Sequence, residues 1–338
     1  MTITTAPPAT RPVRVRRVAW IVLLWLLVLP GTVWALLRLG GWERGVMVQF
    51  FAFTPYVAAW SVVPVIAALA TRRRLAGAVA VLTLALFAVL TLPRAFADGD
   101  RGPQGGVALH VMTSNLLFGN ADAAEVVRLV RDNDISVLAL QEFSPGAQTR
   151  LAEAGLGELL PYSSLGPEYG ASGSGLYSRF PITNPGVRHN GGGFNQAYGT
   201  IQPPGAGAVV VESAHPLAPY SVEILGDWRD DLNAEPRADP DGLPRILLGD
   251  FNSTLDHAPL RDLIDSGYRD AADAAGAGLT GTWGPYDGDP LPPVTIDHVL
   301  ADRRLGIGAV SVHDVAGSDH RAVLAELRIP AGPAVTPR

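Results

Sequence analysis

"ILLGDFNST", residues 246–254, runs three aliphatic side chains into a glycine and then places a carboxylate, an aromatic ring and a carboxamide in consecutive positions. Ile246, Leu247 and Leu248 read as a buried strand. Gly249 reads as the point where the backbone turns tightly, and Phe251 as a side chain returning to the core. Asp250 and Asn252 then share the open face, because residues two apart on a strand project to the same side. A polar turn accounts for the stretch taken alone. A catalytic site accounts for it if other strands bring polar groups to their ends.

Several do. "VALHVMTSN" (107–115) ends on Asn115, "ISVLALQEF" (135–143) carries Glu142, and "GAVVVESAHP" (207–216) brings His215. "TIDHVLA" (295–301) opens beside Asp297, and "HRAVLAELRI" (320–329) starts at His320, directly after Asp319. "SGLYSRFPI" (174–182) is a further strand. "ADAAEVVRLVRDN" (121–133) sets Ala124, Val127 and Val130 on one face, and "HAPLRDLIDSG" (257–267) ends on a glycine, so both read as helices. Stretches 186–207 and 226–244 are Gly-, Pro- and Asp-rich and read as long loops, the first of which faces either substrate, through Phe194 and Tyr198, or solvent. The class is a strand-dominated α/β fold with polar groups where α/β enzymes place their chemistry.

Composition narrows the chemistry. The 338 residues contain no cysteine, which excludes disulfides, thiolate metal sites and a cysteine nucleophile. Arginine supplies all the positive charge. Ten of the 26 basic and one of the 32 acidic residues precede Asp98, which leaves 16 arginines against 31 acids and a net charge of −15 from there onward.

The region before Asp98 contains three uncharged apolar stretches, at 18–37, 46–70 and 75–92, each long enough to cross ~30 Å of hydrocarbon. Arg11, Arg14, Arg16 and Arg17 precede the first, and Arg72, Arg73 and Arg74 separate the second from the third. The positive-inside rule then places the N-terminus in the cytoplasm and everything after the third span outside. The expected organisation is a membrane anchor with three transmembrane helices (1–97), a Gly-rich linker (98–106), an α/β domain (107–329) and a disordered tail (330–338). "RAFADGD" (94–100) resembles a small-x-small processing site after Ala97, although an uncleaved span is the simpler reading.

The successive motifs "TSNLLFGN", "ALQEF", "GLYSRFPI", "ESAHPLAP", "LLGDFNST", "TWGP" with "TIDHVL", and "GSDHRAV" resemble those of the endonuclease/exonuclease/phosphatase superfamily, which includes DNase I-like nucleases. The resemblance covers 107–329 in order. It implies a four-layer sandwich of two mixed β-sheets flanked by helices, and metal-assisted phosphoester hydrolysis with Mg²⁺ or Mn²⁺. It also implies roles that the reaction requires in any case, since attack of water on a phosphoester builds charge that a hard cation and hydrogen-bond donors must absorb. Asn115, Glu142 and Asp319 are the expected oxygen ligands of the metal. His320 is the expected general base, oriented by Asp297. His215 and Asn252 are expected to donate to phosphoryl oxygens, with Asp250 orienting the water or assisting the leaving group. Ser318 supports its turn. Arg179 and Arg321 are expected to bind substrate, and Arg188, Arg303 and Arg304 are further candidates for phosphate contact.

The strongly acidic outer domain disfavours nucleic acid, whose backbone needs clustered positive charge. A tether is useful for a substrate held in the membrane, since it raises effective concentration. Three spans followed by this domain resemble the membrane-anchored VanJ-type teicoplanin-resistance proteins of actinobacteria. That resemblance implies a lipid-linked cell-envelope phosphate or phospholipid as substrate. The competing readings are an extracytoplasmic nuclease and a non-enzymatic envelope-binding module.

Overall fold

The computed structural model of the protein describes residues 11–99, 103, 106–284 and 291–332. Residues 1–10, most of the expected linker and the tail from 333 onward lie outside the described residues. The chain forms two compact units, one of Met1–Trp42 and Thr54–Thr91, the other of Glu43–Phe53 and Leu92–Arg338.

From the N-terminus the helices are α1 (Arg11–Leu39), α2 (Met47–Phe51), α3 (Thr54–Trp60), α4 (Val62–Ala70) and α5 (Arg74–Thr91). Within the first unit, Thr32 and Thr83 share a 2.8 Å hydroxyl hydrogen bond, and the Trp34 indole donates to Thr54 Oγ1 at 3.1 Å. Among the described residues, two stretches are long and apolar enough to cross a membrane, Val18–Leu39 and Arg74–Ala95. The expected second span, 46–70, is shorter than its hydropathy suggested. Its apolar helical part is Thr54–Ala70, which gives roughly 25 Å of rise against ~30 Å of hydrocarbon. Its first residues instead belong to the other unit, where Val48 and Phe51 are fully buried in protein. An apolar run does not say whether lipid or a core covers it.

In the second unit the strands are β1 (Val107–Asn115), β2 (Val137–Gln141), β3 (Tyr162–Gly166), β4 (Ser174–Ser178), β5 (Ile182–His189) and β6 (Asn195–Ile201), followed by β7 (Val209–Ala214), β8 (Arg245–Asp250), β9 (Tyr268–Asp270), β10 (Asp297–Asp302), β11 (Gly306–Asp314) and β12 (Arg321–Ile329). They form two six-stranded sheets, ordered β11-β12-β1-β2-β4-β3 and β5-β6-β7-β8-β10-β9. The pairs β1–β2 and β7–β8 are parallel and their neighbours antiparallel, so both sheets are mixed, as expected.

Side-chain alternation builds the layers. Leu109, Val111, Val137 and Ala139 of the first sheet meet Val209, Val211, Ile246 and Leu248 of the second in a common core. Met112, Leu138 and Leu140 face outward against α6 (Ala123–Asp132), α7 (Pro145–Glu153) and α8 (Leu156–Leu159). Leu247 and Leu300 face the other way, against α9 (Leu225–Asn233) and α10 (Ala258–Asp265). Helix α6 starts where the Asp122 carboxylate accepts from the Ala124 and Glu125 amides, and α7 where Ser144 caps Ala147. The four layers match the expected sandwich.

Two expected loops are structured. Stretch 186–207 contains the end of β5 and all of β6, with a register irregularity between Thr183 and Gly186 next to Pro185. Strand β5 is a sheet edge with no fully buried residue, so it lacks the alternation that marks a half-buried strand. Stretch 226–244 contains most of α9, whose Leu225, Trp228 and Leu232 bury a narrow stripe among acidic neighbours.

Candidate active site

The stretch 246–254 shows how the fold delivers catalytic groups. Strand β8 continues through Gly249 to Asp250. Gly249 therefore does not make the tight turn expected of it. It is required by close packing, because a Cβ there would lie 1.9 Å from the Ala214 carbonyl oxygen of β7. The chain leaves the strand two residues later, at Asn252, which has φ of 48°. Glu142, just past β2, does the same at 54°. Left-handed backbone is uncommon for residues other than glycine, and it clusters where side chains must be re-aimed. Phe251 between the two polar residues is fully buried, as its position implied.

The ends of β1, β2, β7 and β8 and the starts of β10 and β12 converge on one edge of the sandwich. His320 Nδ1 lies 2.9 Å from Asp297 Oδ2 and 3.1 Å from Oδ1. Its Nε2 faces Asp250 Oδ2 at 3.6 Å, and His215 Nε2 approaches the same oxygen at 3.7 Å. Asn115 Nδ2 donates to Asp250 Oδ2 at 3.0 Å and to Glu142 Oε1 at 3.1 Å, so one nitrogen bridges two carboxylates from different sheets. The Phe118 amide donates to the other Glu142 oxygen at 2.7 Å. Asp319 Oδ2 accepts from the Trp283 indole at 2.6 Å. Asn252 closes the set: its amide nitrogen donates to Asp250 Oδ1 at 2.8 Å and its side chain to the Pro216 carbonyl at 3.0 Å.

Asn115, His215, Asp250, Asp297 and His320 are all buried. Burial lifts the Asp250 pKa well above the usual carboxylate range; the His320 charge opposes this and Asp297 adds to it. Burial also raises Glu142, against the hydrogen bonds from Asn115 and Phe118. His215 is driven down to about 3 by burial and by the neighbouring His320 charge, so it is a neutral imidazole. Burial opposes the charge on His320 as well, but Asp297 and Asp250 overcome it and push its pKa up to about 10. Carboxylates crowded into a buried site, with an imidazolium the nearest cation to several of them, fit a site built for a divalent cation. Ligand atoms of Asp250, Asp297 and His320 lie within 4.8 Å of one another and could hold a metal ion. The 2.9 Å bond between His320 and Asp297 already occupies those two groups. Asp250 and Glu142, joined through the Asn115 nitrogen, add further carboxylate oxygens at the same end of the site. Oxygen-rich donors of this kind suit a hard cation.

The structure does not bring the two arginines assigned to substrate binding into the site. Arg179 follows β4, whose Ser178 pairs with Val137 at the start of β2, the end opposite Glu142. It bonds Asp134 at 2.7 Å and the Ile135 carbonyl at 3.0 Å. Arg321 adjoins His320 in sequence, but successive strand residues point to opposite faces. Its guanidinium bonds Asp314 at 2.7 Å and the carbonyls of Gly281 and Gly284. Arg188 pairs with Glu212 and Glu235, Arg304 with Asp302, and Arg303 with the Tyr268 carbonyl. Both arginines nearest the motifs brace loops.

Supporting residues were less legible in the sequence. Ser318 Oγ donates to the Asn115 carbonyl and accepts from the His320 amide, which locks β1 to β12, in line with its expected role in the turn. The Gln196 side chain accepts from the His215 amide. Asp231 accepts from Gly192 N and Leu217 N, fastening the loops on either side of His215. Trp283 lies in the "TWGP" motif, which marked the family without indicating that its indole would hold Asp319.

A buried cluster of carboxylates and imidazoles at the edge of a two-sheet sandwich defines a phosphoester hydrolase. Residues 112–320 match the family model described as "Endonuclease/Exonuclease/phosphatase family". The chain belongs to that family. Among solved structures it is similar to an endonuclease/exonuclease/phosphatase from Beutenbergia cavernae, at 21% identity over 68% of this chain and 73% of that one, with a TM-score of 0.53. It is also similar to a humanized D. rerio TDP2, at 13% identity over 65% and 99% with a TM-score of 0.52. A sphingomyelinase C from Streptomyces griseocarneus aligns at 17% identity over 65% and 99%, with a TM-score of 0.49. At these identities the likeness is one of fold. No curated protein matches the chain.

Proposed function

We propose that this protein is a membrane-anchored, metal-dependent phosphoesterase acting outside the cytoplasmic membrane on a lipid-linked phosphate or pyrophosphate or on a phospholipid. The observation behind the hydrolytic part is the continuous array Asp297–His320–Asp250–Asn115–Glu142. Glu142, Asn115 and Asp319, together with Asp250, would hold Mg²⁺ or Mn²⁺. When bound, such a cation would polarise the phosphoryl oxygens and offset the negative charge that builds on them. Asp297 fixes the Nδ1 proton of His320, which leaves Nε2 to take a proton from water. His320 would act as the base in its neutral form, held in place by Asp297. Neutral His215 donates from Nε2, and Asn252 from the N–H not bound to Pro216.

Support for the lipid-linked substrate comes from the rest of the chain. Two helices have the length and apolarity to cross a membrane, and the outer residues from Asp98 onward carry a net charge of −15, which opposes a nucleic-acid backbone. The arginine distribution favours an outward-facing domain, and the resemblance to VanJ-type proteins makes glycopeptide resistance a plausible setting. The test is hydrolysis of polyprenyl pyrophosphate, phospholipid vesicles and DNA by the full-length protein, with Mg²⁺, with Mn²⁺ and with EDTA, beside His320→Ala. Metal-dependent, His320-dependent release of phosphate from a lipid is expected. Cleavage of DNA alone would establish the nuclease reading, and inertness on all substrates would favour an envelope-binding module.

A further inference from the structure

We infer that the segments Glu43–Phe53 and Leu92–Asp98, which flank helices α3 to α5 in sequence, are positioning parts of the active site and hold the loop that follows Asp250 and carries Asn252. This rests on the site reading above. The loop 251–257 runs from the end of β8 to α10. At its catalytic end it is pinned by β10, through the Phe251 amide on the Ile296 carbonyl and the Ser253 carbonyl on His298 Nε2 at 2.9 Å. Its far end is held by Arg261 of α10, whose guanidinium donates to the Leu255 and Asp256 carbonyls, and by residues that precede the α/β domain in sequence. Arg94 makes a two-pronged ion pair with Asp256, at 2.8 and 2.7 Å, and both side chains are buried. His257 Nε2 donates to the Val48 carbonyl at 2.8 Å while its Nδ1 accepts from the Thr254 amide at 2.8 Å. The Ala258 amide, at the start of α10, donates to Glu43 Oε1 at 2.7 Å. Arg229 of α9 donates to the Glu43 carbonyl.

The same segment reaches the other side of the site. Gln49 Nε2 donates to the Pro219 carbonyl at 2.9 Å, in the loop that leaves His215 and whose Pro216 carbonyl accepts from Asn252. Val48 also packs in one cluster with Phe251, Trp228 and Leu260. Without these segments Asp256 would lose the Arg94 guanidinium, and the His257 Nε2–H and Ala258 N–H would lose the acceptors they now have. Buried groups stripped of their partners do not stay where they were. The loop would re-solvate them and shift Asp250 and Asn252. Catalytic competence is thereby linked to the chain that leads in and out of the apolar helices, and a domain released after Ala97 would lack Glu43, Val48 and Arg94.

The test uses full-length protein with Arg94→Gln and, as a milder lesion, Glu43→Ala. Leu129→Ala, in α6 on the far side of the first sheet, serves as a control matched for loss of thermal stability. His320→Ala tests the site itself. Each is assayed on bis(p-nitrophenyl) phosphate with Mg²⁺ at a temperature where unfolding curves show it fully folded. Arg94→Gln and Glu43→Ala are expected to lower kcat by ~10- to 100-fold with little change in KM, the range that a small misplacement of reacting groups produces. Leu129→Ala should keep kcat within about twofold, as a purely structural lesion does while the protein remains folded. If Glu43→Ala keeps wild-type kcat while His320→Ala is dead, the positioning role is overturned and the site reading stands. If His320→Ala is fully active, the site reading fails instead.

Discussion

At the scale of single residues, the site depends on which atom of His320 is free. Asp297 engages Nδ1 and leaves Nε2 toward Asp250. His320→Ala should lower kcat/KM by roughly 100- to 10,000-fold, the usual worth of a positioned general base. Asp297→Asn keeps the shape but not the charge and should lose at least ~100-fold. Both are checked by steady-state kinetics in saturating Mg²⁺. A different histidine adds to the pH dependence of stability. His257 is buried and its pKa lies below the ordinary value of 6.5, because burial disfavours its charge more than its hydrogen bonds and the Asp256 charge favour it. A histidine with a depressed folded-state pKa contributes stability that is present above the unfolded value and lost as pH falls below it. Unfolding temperature should therefore drop between pH 7.5 and 5.5 by more in wild type than in His257→Gln, as calorimetry at the two pH values can measure. The catalytic residue types were legible in the sequence because each sits beside an apolar strand. Arg179 and Arg321 were misplaced because neighbourhood in sequence says nothing about which end of a sheet, or which face of a strand, a long side chain serves.

At the scale of elements, β1, β8 and β12 were readable to within a few residues because buried central strands are continuous apolar runs. Strand β5 was not, since an edge strand has one unpaired side and little to bury. Helix α2 was hidden inside an apolar run that also fitted a membrane span. Gly249 was recognised as special, but for a turn and not for packing. The distinction has a measurable consequence. Gly249→Ala introduces no strain in φ, yet its methyl group meets the Ala214 carbonyl. The β7–β8 pair must then separate, at a cost of about 3 kcal/mol or more. Chemical denaturation of Gly249→Ala should show that loss, whereas a turn glycine with a negative φ would accept alanine at little cost.

At the scale of the whole molecule, the expected anchor, linker and domain do not divide the chain as three consecutive blocks. The second compact unit takes residues from both before and after α3 to α5. Hydropathy could not reveal this, because the contacts of Glu43, Val48 and Arg94 are with residues 215, 209 and 162 positions away. The buried carboxylates give the metal site a thermodynamic signature independent of turnover. A cation that binds only the folded state stabilises it by about 2.7 kcal/mol at one hundred times its dissociation constant. Mg²⁺ should raise the unfolding temperature of wild type and of His320→Ala, and do so much less for Asp250→Asn. An equal rise in all three would place the cation elsewhere.

Strand β12 begins beside His320 and pairs along its length with β1, the first strand of the sandwich. The first sheet therefore lacks the antiparallel partner of β1, and the site lacks His320, until β12 has been added. Such long-range pairing is slow to form. A chain that stops before His320 lacks both that partner of β1 and the imidazole that faces Asp250. Such a truncated product should show no metal-dependent hydrolysis beside the full chain, as an assay of the two can check.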